Sequence, residues 1–269
     1  MVFRSVLVNE QEALALEEPR RRAALQFTGA TVTSNSVKLS FIRDHYLFGV
    51  IDKEVFPRVT GIEQTYNPIA IVSDLFLRKA TKTLDAICVL CETGFAEDAL
   101  VLGRTLFELV VYLKWIALPA SIEQKRLRAE SFIYDGDRQR VERLKGLQKL
   151  KKQDKVAQIE SKNPDFQTIP KPNGFVPIIK LEKMVTDLGD PWEGLYNFPY
   201  KDISKLVHPS GSGSDSYLQD FVQEKEVSRA LTFAIGMHYY LTDTALPLLD
   251  LAIFRPRLEE FMKGFITQR

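Results

Sequence analysis

An arginine and a glutamate stand four residues apart in the most apolar stretch of the sequence. In 99-ALVLGRTLFELVVYLKWIAL-118 these residues are Arg104 and Glu108, and Tyr112 follows after another four positions. On a helix this spacing places all three side chains on one face. Charges in apolar surroundings require partners. Two interpretations remain open: a buried structural ion pair, or a polar cluster at the centre of a bundle where a ligand or a catalytic group lies.

A second candidate is the histidine at the start of a loop. The stretch 205-KLVHPSGSGSDSY-217 places His208 before a proline and a run of serines and glycines. Histidine exchanges protons near neutral pH and can act as a general acid or base. The loop lacks the lysine and the spacing of a phosphate-binding loop. His208 therefore either caps a helix in a flexible connector or faces Arg104 and Glu108 as a catalytic residue.

Positive charge is concentrated between residues 125 and 155. This stretch contains eleven lysines or arginines and five aspartates or glutamates. Such a charge on one helix is sufficient for contacts with nucleic-acid phosphates. The candidate nucleic-acid-binding residues are Arg138, Arg140, Arg143, Lys145 and Lys149. The alternative is a solvated helix face without a partner.

The other reactive side chains do not predict a metal or cofactor site. Cys88 and Cys91 are the two cysteines of the chain, whereas a zinc site needs about four ligands. We expect both in the core, and no cofactor and no metal. The residues 238-HYY-240 are expected to pack at a helix interface. The sequence contains no nucleophile elbow, zinc-protease motif, Walker loop or dinucleotide fingerprint.

Helices must position all of these residues, because no segment alternates in the manner of a strand. The predicted fold class is all-α: a helical bundle with a long charged helical arm. Its central helices are predicted at 68–92, 96–117 and 217–245. Asn67-Pro68 is a good start signal, and a three-residue turn around Gly94 makes the first two helices an antiparallel hairpin. The arm covers about 121–160, and Gly136 and Gly146 are the positions where it could break.

The remaining elements are predicted around this centre. Residues 1–36 form a peripheral N-terminal segment, helical over 9–26 with an interruption at Pro19, and a linker over 27–36. Residues 37–269 form a single helical bundle domain. A helix over 37–56 supplies the core candidates Val37, Phe41, Tyr46, Phe48, Ile51 and Phe56. Further predictions are a loop at 161–177, a short helix at 178–188, an aromatic connector at 190–200, a short helix at 201–207, and a final helix at 248–266 broken around Pro256.

Composition and charge restrict the location of the chain and its partners. The formal net charge is +1, so no global field directs the protein to nucleic acid or membrane, and any such binding needs a local patch. The most apolar stretch carries three charges, which favours a core helix over a membrane span. The first residues lack the pattern of a signal peptide. With two cysteines, a cytoplasmic location and no membrane contact are expected.

The segment from about Leu75 to His208 resembles a bacterial helical family catalogued as domain of unknown function 5677. The residues that carry the resemblance are 99-ALVLGRTLFELVVYLKW-115, Arg128-Ala129, Tyr134 and 202-DISKLVHPS-210. That family has a recurrent arginine and glutamate four apart and a later Ser-x-x-x-His. The resemblance assigns these positions to Arg104, Glu108, Ser204 and His208.

The same family is similar, distantly, to the HEPN helical domains. Many of those are ribonucleases of toxin and anti-phage systems, and they act as dimers that bring together two R-x(4–6)-H motifs. The sequence departs from this pattern, because Lys201, Asp202 and Ile203 occupy the positions before His208 where an arginine would stand. The resemblance implies a homo-oligomer, a dimer, that acts on RNA through Arg104, Glu108 and His208. The alternative is a non-enzymatic sensor or scaffold in which Arg104–Glu108 is a structural ion pair.

Overall fold

The protein is a bundle of helices built around one antiparallel hairpin. The computed structural model describes residues 32–59, 67–149, 155, 157, 171–207 and 224–267. Within these ranges every regular element is helical and no strand occurs. The all-α prediction is therefore confirmed.

The elements of the first half, in chain order, are α1 (Val32–Ser40), a π-helical segment (Phe41–Val55), α2 (Phe56–Val59), α3 (Pro68–Glu92), α4 (Ala96–Ala117) and α5 (Ile122–Lys149). Those of the second half are α6 (Leu181–Leu188), α7 (Trp192–Leu195), a π-helical segment (Tyr196–Tyr200), α8 (Lys201–Val207), α9 (Glu224–Leu248), a 3-10 turn (Ala252–Phe254) and α10 (Arg255–Thr267).

The hairpin of α3 and α4 forms where the local signals predict it. The side chain of Asn67 caps α3 by accepting a hydrogen bond from the Ala70 amide at 3.4 Å, and Pro68 occupies the first turn. The connection passes through Gly94, whose φ of 87° is a conformation that glycine adopts without strain. Both helices have the bounds expected from the sequence.

The core lies between this hairpin and α9, which packs against both of its helices. Among the fully buried side chains are Leu84, Ile87, Phe107, Leu113 and Trp115. Gly103 allows α4 and α9 to approach closely, because a Cβ atom there would lie 3.0 Å from the ring of Phe233. The apolar stretch 99–118 is therefore a core helix, as predicted.

Three expectations for the first half are wrong. Residues 32–36 are helical rather than a linker, since α1 begins at Val32. Val37 and Phe48 are 52% and 56% exposed and do not belong to the core. The chain becomes π-helical at Phe41, so a face drawn with 3.6 residues per turn drifts around the helix.

The arm does not break at Gly136 or Gly146: α5 continues through both, since a glycine weakens a helix by only about 1 kcal/mol.

The second half also departs from the predicted boundaries. The stretch 190–200 is largely helical rather than a connector, because packing of its aromatic rings outweighs the helix-breaking tendency of its prolines and glycine. α6 begins at Leu181 rather than at 178, and α9 includes Pro247 in its last turn. Pro256 lies in the first turn of α10, where no amide donor is needed. The predicted elements of residues 1–31, 161–170 and 217–223 lie outside the described residues.

Candidate functional site

Arg104 and Glu108 form an ion pair at the surface of the bundle. Both belong to α4, and the Arg104 Nε atom lies 2.9 Å from the Glu108 Oε1 atom. Their side chains are 30% and 35% exposed, respectively. Both interpretations of the sequence, a buried ion pair and a polar cluster at the bundle centre, placed these residues too deep in the protein. The pair is half-buried and accessible to solvent.

Tyr200 is the third member of this cluster. Its hydroxyl donates a hydrogen bond to the same Glu108 Oε1 atom at 2.8 Å, and the Arg104 guanidinium lies 5.2 Å from the centre of its ring. The π-helical segment Tyr196–Tyr200 holds the ring in place through contacts with Phe107 and Tyr196, at centroid distances of 4.9 Å and 5.1 Å. We refer to Arg104, Glu108 and Tyr200 as the Arg–Glu–Tyr cluster.

The cluster holds Arg104 and Tyr200 each in one ionisation state near neutral pH. Burial and the hydrogen bond to Glu108 raise the pKa of Tyr200 to about 12, so the phenol keeps its proton and acts as a donor. Burial opposes the charged form of Arg104. The hydrogen bond to Glu108 and the charges nearby outweigh that effect, and the pKa of Arg104 is raised. The result is a fixed cation beside a protonated phenol.

Tyr200 is a site residue that the sequence does not indicate. The Glu108–Tyr200 contact joins positions 92 residues apart, and no local pattern around Tyr200 indicates a distant carboxylate. The only available signal was the density of aromatic residues in 192-WEGLYNFPY-200, which is equally typical of packing.

Ser204 and His208 follow this cluster along the chain. The helix α8 packs against α4, and the Ser204 hydroxyl donates to the Tyr200 carbonyl at 2.8 Å. Ser204 is therefore hydrogen-bonded to the backbone one turn away, at Tyr200. α8 ends at Val207. His208 lies outside the described residues, so its approach to Arg104 and Glu108 stays a prediction.

The middle of the predicted basic arm lies close to Tyr112, one turn beyond Glu108 on α4. Burial, followed by the charges of Glu108 and Asp135, raises the pKa of Tyr112. This half-buried phenol therefore lies within electrostatic range of both carboxylates. Arg138 donates to Asp135 at 2.8 Å on the exposed surface of α5.

Part of the positive charge of the arm is paired within α5 itself. Besides Arg138 with Asp135, Lys145 lies 3.2 Å from Glu142. Lys149 is exposed at the end of the helix. Arg140 and Arg143 belong to α5, and their side chains lie outside the described residues. Two of the five candidate RNA-binding side chains, Arg138 and Lys145, therefore already have an acidic partner within α5.

Arg128 has a structural role. Its guanidinium lies 4.1 Å from the centre of the Trp115 ring and donates to the Trp115 carbonyl. Because that carbonyl belongs to the last turn of α4, Arg128 satisfies one of the acceptors that a helix end leaves open. It ties the start of α5 to the end of α4.

His238 lies in a sealed polar cluster between three elements. Its Nδ1 atom is 2.7 Å from the Tyr46 hydroxyl and its Nε2 atom is 3.1 Å from the Thr81 hydroxyl. The ring is fully buried, and burial lowers the pKa of His238 to about 3. A neutral histidine without solvent contact does not bind substrate. The predicted packing at a helix interface is confirmed for this residue.

The cysteines also belong to the core. Cys88 and Cys91 are both buried and free, and burial raises the pKa of each thiol. Across the part of the chain that the structure describes, no group of three or more His, Cys, Asp or Glu side chains could hold a metal ion. In those same ranges, no helix combines the length and apolar character of a membrane span.

The fold and the site define a class: an all-α helical bundle with a solvent-accessible Arg–Glu–Tyr cluster on its central hairpin. Residues 70–226 match the family of unknown function DUF5677. The match covers more than half of the chain and includes nearly all of the hairpin, the arm and the cluster. The chain belongs to this family. No curated protein and no solved structure matches it.

Proposed function

We propose that this chain is a HEPN-like helical protein of a bacterial defence or toxin-type system that acts on RNA at the Arg–Glu–Tyr cluster. The observation that carries the proposal is that Arg104 and Glu108 are both accessible to solvent and held in a fixed geometry. A rigid guanidinium at a surface is well suited to an anionic phosphodiester.

Each residue of the cluster has a separate role in this proposal. Arg104 stabilises the charge that develops on the phosphate, because its pKa is raised and its guanidinium stays charged. Glu108 fixes the orientation of Arg104 through the Nε–Oε1 hydrogen bond. Tyr200 holds Glu108 in turn. In this proposal the guanidinium nitrogens other than Nε bind the phosphate oxygens.

His208 is the proposed acid or base. In RNA cleavage without a metal, the ribose 2′-hydroxyl loses a proton and attacks the adjacent phosphorus. The bond from phosphorus to the 5′ oxygen then breaks, and that oxygen gains a proton. Histidine can perform either proton transfer near neutral pH. Support for placing His208 here is that α8 packs against α4 and ends one residue before it.

The basic arm supplies the second part of the proposal. Arg138, on the exposed surface of α5, pairs with Asp135, and Asp135 lies within electrostatic range of Tyr112 beside the cluster. We propose that Arg138, Arg140, Arg143, Lys145 and Lys149 bind the RNA backbone. Phosphate contacts of this kind position a substrate without reading its sequence.

The proposal includes a cytoplasmic location and a dimer. Two free, buried cysteines are consistent with a reducing compartment. The resemblance to HEPN ribonucleases, which act as dimers, is the support for the oligomeric state. Size-exclusion chromatography with light scattering tests it directly, and a mass of one chain at micromolar concentration would contradict it.

The test of the activity is an incubation of purified protein with transfer RNA and total RNA. The wild type is expected to cleave, and His208→Ala is expected to reduce the rate by at least about 100-fold, the usual contribution of a general acid or base. If the wild type and His208→Ala both leave the RNA intact, or both cut it equally, the proposal fails.

A matched pair of conservative variants shows whether a loss of cleavage is specific to Arg104 or follows from any arginine-to-lysine change. The Arg126–Glu130 pair has the same spacing and the same 2.9 Å distance. Arg104→Lys and Arg126→Lys both keep the charge, but lysine loses the fork geometry. We expect Arg104→Lys to impair cleavage and Arg126→Lys to preserve it.

A scaffold or sensor role is the second candidate. The observation in its favour is that Glu108 Oε1 already accepts two hydrogen bonds within the protein, as a structural ion pair would. In this case Arg104→Ala lowers the melting temperature, and the wild type does not cleave RNA. An unchanged melting temperature with lost cellular activity favours the RNA function instead.

A further inference from the structure

An open groove of about 510 Å³ lies along the outer face of the hairpin. Its apolar lining is Leu75 and Ala86 from α3 and Leu102 from α4, and its basic lining is Arg78, Lys79 and Lys82. Leu75 is 53% exposed, so the groove presents apolar surface to solvent. The groove thus combines apolar surface with positive charge, and none of its lining residues belongs to the Arg–Glu–Tyr cluster.

The positive charge of this groove is largely uncompensated. Arg78 pairs with Asp74 at 2.8 Å and lies over the ring of Phe56. Within the described ranges, no acidic side chain forms an ion pair with Lys79 or Lys82, and both are exposed. Two lysines beside an exposed leucine suit an occupant that is both acidic and apolar.

We propose that residues 8–18 of this same chain dock in the groove as an acidic amphipathic segment. The segment reads VNEQEALALEE, with four glutamates and no basic residue. On the helix that the sequence predicts here, Glu10, Leu14 and Glu17 share one face. A leucine flanked by two carboxylates matches an apolar groove flanked by two lysines.

Charge complementarity favours this segment over a second copy of the groove face. A two-fold contact between two such faces would bring Lys79 and Lys82 of both copies together, and like charges repel. RNA would satisfy the lysines but not the aliphatic lining, because its bases stack on aromatic rings. An acidic amphipathic segment satisfies both parts of the groove.

The connection is long enough for this arrangement. The described chain begins with α1, which packs against α9 and against α3, the helix that carries most of the groove. Thirteen residues, from Pro19 to Thr31, separate the segment from α1. Extended, they reach about 40 Å. The whole of α3 measures about 37 Å at 1.5 Å per residue, so the groove is within reach.

Carbodiimide crosslinking of the full chain tests the proposal, because the reagent joins a lysine amine to a carboxylate only in direct contact. We expect mass spectrometry to find crosslinks from Lys79 and Lys82 to the glutamates of residues 8–18 at least about ten-fold more often than from Lys183. Lys183 is an equally exposed lysine on α6 and serves as the control. Equal yields from Lys183 would overturn the proposal.

Exchange of the charges between groove and segment shows whether the crosslinks depend on the reactivity of particular lysines. Glu10→Lys with Glu17→Lys should abolish the crosslinks of those two positions to the groove. Adding Lys79→Glu and Lys82→Glu should restore crosslinks between the same positions with the roles reversed. Circular dichroism verifies that each variant is folded. Failure of the four-fold variant to restore them means that charge complementarity does not hold the segment in place.

Mixed isotopes identify the source of the occupant. Crosslinking an equal mixture of unlabelled and nitrogen-15-labelled chains should give groove crosslinks within one isotope only. Mixed-isotope crosslinks would assign the groove to a second copy. Protection of Lys79 and Lys82 by added oligouridylate, without crosslinks to residues 8–18, would assign it to RNA. Either result overturns the proposal.

Discussion

At the scale of single residues, Tyr200 connects the ion pair to the rest of the bundle. Among the described residues, the Tyr200 hydroxyl is the only group outside α4 that forms a hydrogen bond with the Arg104–Glu108 pair. The ring is buried among Phe107 and Tyr196. The position of the surface pair is therefore set by a packed aromatic group rather than by a flexible side chain.

Tyr200→Phe should weaken the fold slightly and change its response to high pH. Loss of one hydrogen bond costs about 0.5–1.5 kcal/mol, at the lower end here because Glu108 is partly exposed. The pKa of Tyr200 is raised to about 12 in the folded protein, from 10.0. Its contribution is thus complete below pH 10 and is lost as the pH rises through 12. Urea unfolding at pH 8 and pH 11 measures this, and a difference from wild type that grows with pH would contradict it.

His238 predicts the opposite response, a loss of stability in acid. Its pKa falls from 6.5 to about 3 on folding, so only the unfolded chain binds a proton between these values. The contribution is present above pH 6.5 and decreases by about 1.4 kcal/mol per pH unit as the pH falls towards 3. His238→Gln should be less stable at pH 7 and should show a shallower decline between pH 6.5 and pH 4.

Urea unfolding across that pH range is the measurement, with His45→Gln as the control for removing a histidine from an exposed position. An equal flattening in both variants would show that the buried cluster of Tyr46, Thr81 and Thr242 around His238 is not the cause.

At the scale of elements, local signals predicted the hairpin and missed the aromatic segment. The bounds of α3 and α4 follow from a capping asparagine, an N-terminal proline and a turn glycine, which act within a few residues. In 190–200 the local signals are Pro191, Gly194 and Pro199, all unfavourable in a helix. Contacts of Trp192, Tyr196 and Tyr200 with Phe107 on α4 reverse that preference. The Arg104–Glu108 pair was predictable because its four-residue spacing is a local signal. Tyr200 was not predictable because its position depends on packing against a distant helix.

The arm is an element whose RNA binding can be measured by its salt dependence. Arg138→Gln combined with Lys149→Gln removes two exposed charges from α5. If both contact phosphates, affinity for a labelled 20-nucleotide RNA should fall and the slope of log K against log salt should decrease by about 0.7 for each lost contact. Fluorescence anisotropy between 50 and 200 mM salt gives the slope.

The matched control is Lys263→Gln, which removes an exposed charge from α10. The arm is not an RNA surface if its double variant keeps the wild-type slope, or if Lys263→Gln reduces the slope to a similar extent. Because Arg138 is paired with Asp135, most of the change should come from Lys149.

At the scale of the whole molecule, the composition predicts the class of fold but not the depth of any side chain. The absence of strand periodicity was sufficient for an all-α bundle. The exposure of the Arg104–Glu108 pair depends on which helix covers α4, and here α8 and the π-helical segment leave that face partly open. The same limit applies to Phe48, because its exposure depends on a π-helix that no sequence period indicated.

The two tryptophans test whether the bundle unfolds as the single domain predicted for residues 37–269. Trp115 lies in the central helix α4, and Trp192 lies in α7 at the margin, packed against Phe107 and Tyr240. In Trp192→Phe the fluorescence reports the centre, and in Trp115→Phe it reports the margin. For each variant we expect the fluorescence and far-ultraviolet circular dichroism transitions in urea to coincide, because both rings belong to one core. If the Trp192 signal changes at lower urea than the helical signal, the aromatic segment that positions Tyr200 unfolds separately. The Arg–Glu–Tyr cluster then loses its geometry before the rest of the bundle unfolds.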